Sequence, residues 1–109
     1  MSNEHYKMIP EKAFLAQVID LARHLRWRVY HSRPGMMRSG KWSTPMSGDA
    51  GWPDLAMCRG KRLIFAELKS ANGEPSEDQM IWLALLDHAG AEVYLWRPAD
   101  IESIERILK

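Results

Sequence analysis

The sequence predicts an α/β fold in which helices flank a mixed β-sheet, with elements in the order α-β-β-β-α-β-α. Segments with apolar residues at helical spacing alternate with short segments rich in aromatic and β-branched residues. Glycine and proline separate these segments. A chain of 109 residues is long enough for one compact core but not for two, so residues 1–109 are predicted to form a single domain.

The first helix is predicted from about Pro10 to Leu25. Proline suits the first turn of a helix, and the residues after it recur at spacings of three and four. They are Glu11, Phe14, Val18, Leu21 and Leu25. Aromatic and β-branched residues then predict a strand over residues 27–31. Residues 35–51 contain four glycines, three serines and one proline without periodicity, which predicts a long loop.

A β-hairpin is predicted next, with strands Asp54–Cys58 and Leu63–Lys69 joined by a turn over Arg59–Lys61. Both faces of its second strand begin with apolar residues, so this strand should be central in the sheet. Ser76–Gln79 has the form of a capping box, which opens a helix that reaches about His88.

The last strand is predicted over Ala91–Trp96. Since a helix connects it to the third strand, these two strands should be parallel. Pro98 then begins a final helix with one apolar side. That side contains Ile101, Ile104, Ile107 and Leu108.

Charge is distributed unevenly along a chain whose net charge is only +1. From Leu21 to Gly48 there is no aspartate or glutamate, and basic residues accumulate. They are Arg23, Arg26, Arg28, Arg33, Arg38 and Lys41, with His24 and His31. A locally basic surface can hold phosphates, and a solvated polar face is the alternative of equal weight. The predicted DNA-contacting residues are His31, Arg33, Arg38 and Lys41.

Asp54, Glu67 and Lys69 form the candidate catalytic set. Twelve residues separate Asp54 from Glu67, and pairing within the hairpin brings the two carboxylates together. Adjacent carboxylates raise each other's pKa unless a cation lies between them, and magnesium fits that position because it binds oxygen ligands. A salt bridge between Glu67 and Lys69 is the ordinary alternative.

Glu11 and Gln79 are further candidates because each begins a core-facing stripe of its helix. An inward Glu11 needs a partner such as a metal-bound water, whereas an acid in a first helical turn also suits the helix dipole. Gln79 also suits the third position of a capping box. Cys58 is predicted to be a small buried hydrophobe. The five tryptophans are predicted at the core or its edge, and Trp42 alone lies in the basic loop.

Several segments together resemble the virus-type replication-repair nuclease domain (VRR-NUC) of the PD-(D/E)xK nuclease superfamily. They are Glu11, Gly51–Leu55 (GWPDL), Phe65–Ser70 (FAELKS), Pro75–Gln79 (PSEDQ) and Trp82–Leu83. The resemblance extends from about Glu11 to Trp96, and the long insertion over residues 35–51 is less typical of the family.

The resemblance implies a restriction-endonuclease-like fold and a Mg²⁺- or Mn²⁺-dependent DNA endonuclease. Asp54, Glu67 and the Leu68 carbonyl would bind the metal, and Lys69 would activate or position the water. Gln79 and Glu11, the latter through a water, would support the site. Small members are often viral and act as homodimers on branched DNA such as four-way (Holliday) junctions. The implied products carry a 5′-phosphate and a 3′-hydroxyl.

Two other functions remain open from the sequence. One is a DNA-structure-binding protein with a silent nuclease site, and the other is a purely structural domain whose charged pair is a salt bridge. The N-terminus lacks the layout of a signal peptide, and there is no apolar run of about 18 residues. With a single cysteine, these features predict a cytoplasmic protein without membrane contact. The resemblance implies a bacterial or phage-infected cell.

Overall fold

The structure is a computed structural model that describes residues 8–31, 35–36, 42–43 and 47–109. The helices are α1 (Glu11–His24), α2 (Glu77–His88) and α3 (Ile101–Leu108), and a short 3₁₀ turn, Pro98–Asp100, precedes α3. The strands are β1 (Arg28–His31), β2 (Gly35–Met36), β3 (Trp42–Ser43), β4 (Leu55–Arg59), β5 (Arg62–Leu68) and β6 (Glu92–Trp96).

Four strands form a mixed sheet in the order β1-β4-β5-β6. β1 and β5 both run antiparallel to β4, and β6 runs parallel to β5. The predicted hairpin, the central position of β5 and the parallel pair are therefore confirmed. Gly60, with φ of 60°, lies in the two-residue turn that joins β4 to β5.

The prediction of a long loop over residues 35–51 is wrong in one respect. β2 pairs antiparallel with β3 and forms a separate two-stranded sheet, with Gly35 opposite Ser43 and Met36 opposite Trp42. Two-residue strands are too short to produce an alternating pattern, so the sequence gives no sign of them. The predicted DNA-contacting residues Arg33, Arg38 and Lys41 lie outside the described residues.

The main core lies on one face of the sheet. α1 contributes Phe14 and Val18, and α3 contributes Ile104 and Leu108. These side chains pack against the face of β5 formed by Ile64, Ala66 and Leu68, and all seven are fully buried. The alternation of β5 and the apolar sides of both helices predicted this core.

The opposite face of the sheet is covered only in part, by α2. Leu83 of α2 is buried, and Phe65 on β5 lies beneath this helix region with 9% of its surface exposed. Cys58, predicted to be buried, is exposed. It lies opposite Leu63, which is 47% exposed, at the hairpin end of this face. Within the described ranges, no helix is long and apolar enough to cross a membrane.

Candidate active site

Asp54 is held beside Glu67 by the register of the β4–β5 hairpin. Leu55 pairs with Ala66, and one further step along the same register brings Asp54 opposite Glu67. The backbone N–H of Leu68 donates a hydrogen bond of 2.9 Å to Asp54 Oδ2. The Nδ1–H of His31, at the end of β1, donates to the Asp54 backbone carbonyl at 3.0 Å. Both the carboxylate and the backbone of Asp54 are therefore fixed.

Glu67 is a buried carboxyl group beside that of Asp54. Its side chain is fully buried, and neither Oε1 nor Oε2 accepts a hydrogen bond from the residues that the structure describes. Burial is the main cause that raises the pKa of Glu67 to about 9, and the neighbouring Asp54 carboxyl adds to it. Without a cation, Glu67 is therefore protonated at neutral pH.

Lys69 lies directly beyond the end of β5 and is half-buried. Its backbone N–H donates to the Trp96 carbonyl at 3.0 Å, which continues the β5–β6 pairing by one residue. Its positive charge acts to lower the pKa of Glu67, against the larger effects of burial and Asp54. Because both oxygens of Glu67 are unpartnered among the described residues, the predicted alternative of a hydrogen-bonded Glu67–Lys69 salt bridge is not observed.

Arg97 holds the turn that follows Lys69. Its Nη1 donates to the Ser70 carbonyl at 2.8 Å and to the Gly73 carbonyl. The Gly73 N–H in turn donates to Ser70 Oγ at 3.1 Å. This role was not predicted, since the arginine is 28 residues from Lys69 and the β5–β6 pairing brings the two segments together.

Gly51 allows the segment before Asp54 to pack against the first turn of α2. Its φ is 98°, and a Cβ atom at this position would lie 2.5 Å from the backbone carbonyl carbon of Asp78. Only glycine accommodates both the conformation and the close approach. The Nε1–H of Trp82 also donates to the Asp49 carbonyl at 3.3 Å, and Pro53 is buried. The position of Asp54 therefore depends on α2 as well as on the sheet.

The predicted inward orientation of Glu11 is wrong. Glu11 is the first residue of α1, and its side chain is exposed. The apolar stripe of α1 is buried only from Phe14 onward, because the first turn of the helix is not covered by the core. Glu11 nevertheless lies close enough for its negative charge to raise the pKa of Glu67.

Gln79 has the capping role that the sequence allowed. Its Oε1 accepts a hydrogen bond of 2.8 Å from the Ser76 N–H, and its own N–H donates to Ser76 Oγ at 3.1 Å. The side chain is half-buried. Gln79 thus fixes the start of α2, the turn on which Gly51 packs, and it contributes to the site through that turn.

The carboxyl groups of Asp54 and Glu67 suit a hard divalent cation that takes few of its ligands from the protein. The described part of the chain contains no cluster of three or more His, Cys, Asp or Glu side chains that could hold a metal by themselves. Magnesium, however, often uses one or two carboxylates and keeps several waters. The unpartnered, buried oxygens of Glu67 beside Asp54 provide such a pair.

Comparisons with protein-family models, with curated proteins and with solved structures gave no match for this chain.

Proposed function

We propose that this protein is a metal-dependent DNA endonuclease with a restriction-endonuclease-like fold, selective for branched DNA. The observation that carries the proposal is Glu67, a fully buried carboxyl group whose oxygens have no partner among the described residues. A buried acid is costly to ionise, so a fold that maintains one beside Asp54 is suited to a cation that would compensate the charge when Glu67 ionises. The resemblance to VRR-NUC nucleases supports Mg²⁺ or Mn²⁺ as that ligand.

Asp54, Glu67 and the Leu68 carbonyl would hold the cation, which when bound supplies Lewis acidity at the scissile phosphate and lowers the pKa of a water. Lys69 would orient the attacking water or stabilise the charge that develops on the phosphate, because its ammonium is a compact point charge. His31 would keep Asp54 in place through its hydrogen bond to the backbone carbonyl. The products would carry a 5′-phosphate and a 3′-hydroxyl.

DNA as the substrate is supported by an arginine-lined groove between α1 and β1. One cavity of about 520 Å³ is lined by Arg23, Arg26, Trp27, Arg28 and Val29. A second cavity of about 240 Å³ shares Arg23 and Val29 and reaches His31. Neither cavity contains the carboxylates, but His31 contacts Asp54 and so connects the groove to the site. Guanidinium groups in such a groove suit a phosphodiester backbone.

The proposal is tested with labelled single-stranded, duplex, flapped and four-way-junction DNA in magnesium and in manganese. We expect the wild type to cut a branched substrate and Lys69→Ala to lose about 100-fold or more of that activity. Lys61→Ala is the matched control, because Lys61 is exposed in the β4–β5 turn at the far end of the hairpin, and it should behave like the wild type. Absence of cleavage by the wild type, or equal rates for wild type and Lys69→Ala, contradicts the proposal.

The silent-site alternative gives a different result in the same assay. It requires DNA binding that weakens with salt, without cleavage and without metal binding by the wild type. The arginine-lined groove is the observation that favours it.

A homodimer belongs to the junction-specific form of the proposal, since symmetric cleavage of a four-way junction needs two sites related by a two-fold axis. Light scattering at micromolar concentration should give twice the chain mass of 12.6 kDa. A monomeric mass would exclude symmetric junction resolution by a stable dimer and leave the nuclease proposal intact.

A further inference from the structure

Trp52 is an unusually exposed tryptophan for one that makes two aromatic contacts. Its ring lies nearly perpendicular to Phe65, with centroids 5.3 Å apart, and to Trp82, at 4.8 Å. These contacts fix the ring in one orientation, yet 43% of the residue remains exposed. By contrast, Trp27 and Trp96 in the main core are each 3% exposed. The ring is therefore rigidly placed but open to solvent.

The ring of Trp52 contacts the strand that carries Glu67. Trp52 is two residues before Asp54, and its contact Phe65 is two residues before Glu67 on the same face of β5, about 7 Å along the strand. Gly51, the residue before Trp52, packs closely on the Asp78 backbone. The ring is thus positioned by α2 as well as by β5, on the sheet face that also carries Glu67.

We propose that Trp52 is a stacking site for a nucleobase of the DNA strand that is cut. The inference rests on the proposed nuclease function and adds a binding site for an unpaired base next to the scissile phosphate. Every base has a face that stacks on an aromatic ring, so such a site tolerates any sequence and favours DNA whose bases are already unpaired. A preoriented ring stacks at low entropic cost. Such a site would give a preference for branched or single-stranded DNA without base-specific hydrogen bonds.

The test combines a protein change with a DNA change. Wild type, Trp52→Leu and Trp52→Phe are measured on flapped DNA in which an abasic nucleotide replaces each position of the single-stranded arm in turn. Binding is measured by fluorescence anisotropy without divalent metal, and cleavage is measured in magnesium and in manganese. Leu85→Ala is the control, because Leu85 is an exposed apolar residue of α2 that is 58% exposed. Thermal melting checks that each variant is folded.

We expect Trp52→Leu to bind intact DNA about 5- to 150-fold more weakly than the wild type. An abasic nucleotide at one position should weaken the wild type by a similar factor and have little further effect on Trp52→Leu. Trp52→Phe should retain most of the binding, and Leu85→Ala should retain all of it.

The inference is overturned if an abasic nucleotide weakens wild type and Trp52→Leu by the same factor at every position. It is also overturned if Trp52→Leu changes only the molecular mass in light scattering, because Trp52 would then pack against a second chain. If the wild type cleaves DNA but the abasic effect does not depend on Trp52, the stacking site is contradicted and the nuclease proposal is not. If the abasic effect on binding depends on Trp52 but no variant cleaves DNA, the stacking site is supported and the nuclease proposal is contradicted.

Discussion

Two glutamates on adjacent parallel strands of the same sheet have opposite environments. Glu92, at the start of β6, accepts hydrogen bonds from Arg62 Nε at 2.8 Å, Arg62 Nη2 at 2.7 Å and the Tyr94 hydroxyl at 3.0 Å. Glu67, near the end of β5, accepts none from the described residues. The Arg62 hydrogen bonds lower the pKa of Glu92, whereas burial raises the pKa of Glu67 to about 9.

The difference separates a carboxylate that stabilises the fold from one that is a candidate for binding a ligand. The sheet provides a bidentate partner at the Arg62 end, where Arg62 also donates to the Ile107 carbonyl at 2.9 Å and so ties the sheet to α3. At the Glu67 end, the positive charge of Lys69 acts to stabilise the ionised acid, and its effect is smaller than that of burial. A carboxyl in this state is a functional-site candidate on physical grounds.

The largest expected effect is on catalysis. Glu67→Gln should reduce DNA cleavage by about 100-fold or more, because the amide removes a metal ligand whose transition-state stabilisation is several kcal/mol. Glu92→Gln should cut at close to the wild-type rate. Cleavage rates under single-turnover conditions measure both variants. Equal losses for the two variants would remove the distinction between the structural and the functional glutamate.

The two glutamates should also give stability opposite dependences on pH. The pKa of Glu67 is raised from 4.5 to about 9 on folding, so its contribution is complete below about pH 4.5 and is lost as the pH rises toward 9. The pKa of Glu92 is lowered on folding, so its contribution is present above about pH 4.5 and is lost as the pH falls below that value.

Urea unfolding of the metal-free protein between about pH 2.5 and pH 9 measures these slopes. Glu67→Gln should reduce the loss of stability toward alkaline pH, and Glu92→Gln should reduce the loss toward acid pH. An unchanged alkaline slope in Glu67→Gln would show that Glu67 ionises normally, as an exposed or paired acid does.

A smaller effect is expected from the segment that positions Asp54. Gly51→Ala combines a φ of 98° with a clash at 2.5 Å against the Asp78 backbone. Gly48→Ala is the matched control, since its φ is 102° but no atom lies within 4 Å of the added Cβ. Gly48→Ala should cost about 1–3 kcal/mol in the free energy of unfolding. Gly51→Ala should cost more and should also lower cleavage. Equal stability and activity in the two variants would contradict the packing of this segment on α2.

The smallest effect concerns the stability of the Arg62–Glu92 pair. Both side chains are about one-third exposed, at 36% and 33%, so solvent screens the pair. Its loss in Glu92→Gln should cost about 1 kcal/mol or less at neutral pH, measured by urea unfolding. A cost of several kcal/mol would mean that this pair is as important to the fold as a buried one.

The sequence predicted the mixed sheet, its hairpin and the central position of β5 because the hairpin, the capping box and the alternation of β5 are local patterns. The hairpin pattern also predicted that Asp54 lies beside Glu67. The exposure of Glu11 was not predictable, because periodicity identifies a helix face but not how far the core extends along it. Arg97 and the packing of Gly51 on Asp78 depend on tertiary contacts, for which a single sequence contains no periodic signal. The pairing of β2 with β3 is local, but it was missed because strands of two residues are too short to show a periodic pattern.

The role of Glu67 as a metal ligand is tested most directly by calorimetric titration of Mn²⁺ into the wild type, Glu67→Gln and Glu92→Gln at pH 7.5. We expect binding to the wild type with release of a proton, since Glu67 must ionise as the cation binds. We expect similar binding to Glu92→Gln and none to Glu67→Gln. Binding to Glu67→Gln with the wild-type affinity and proton count, or no binding to the wild type, would contradict the assignment of Glu67 as a metal ligand.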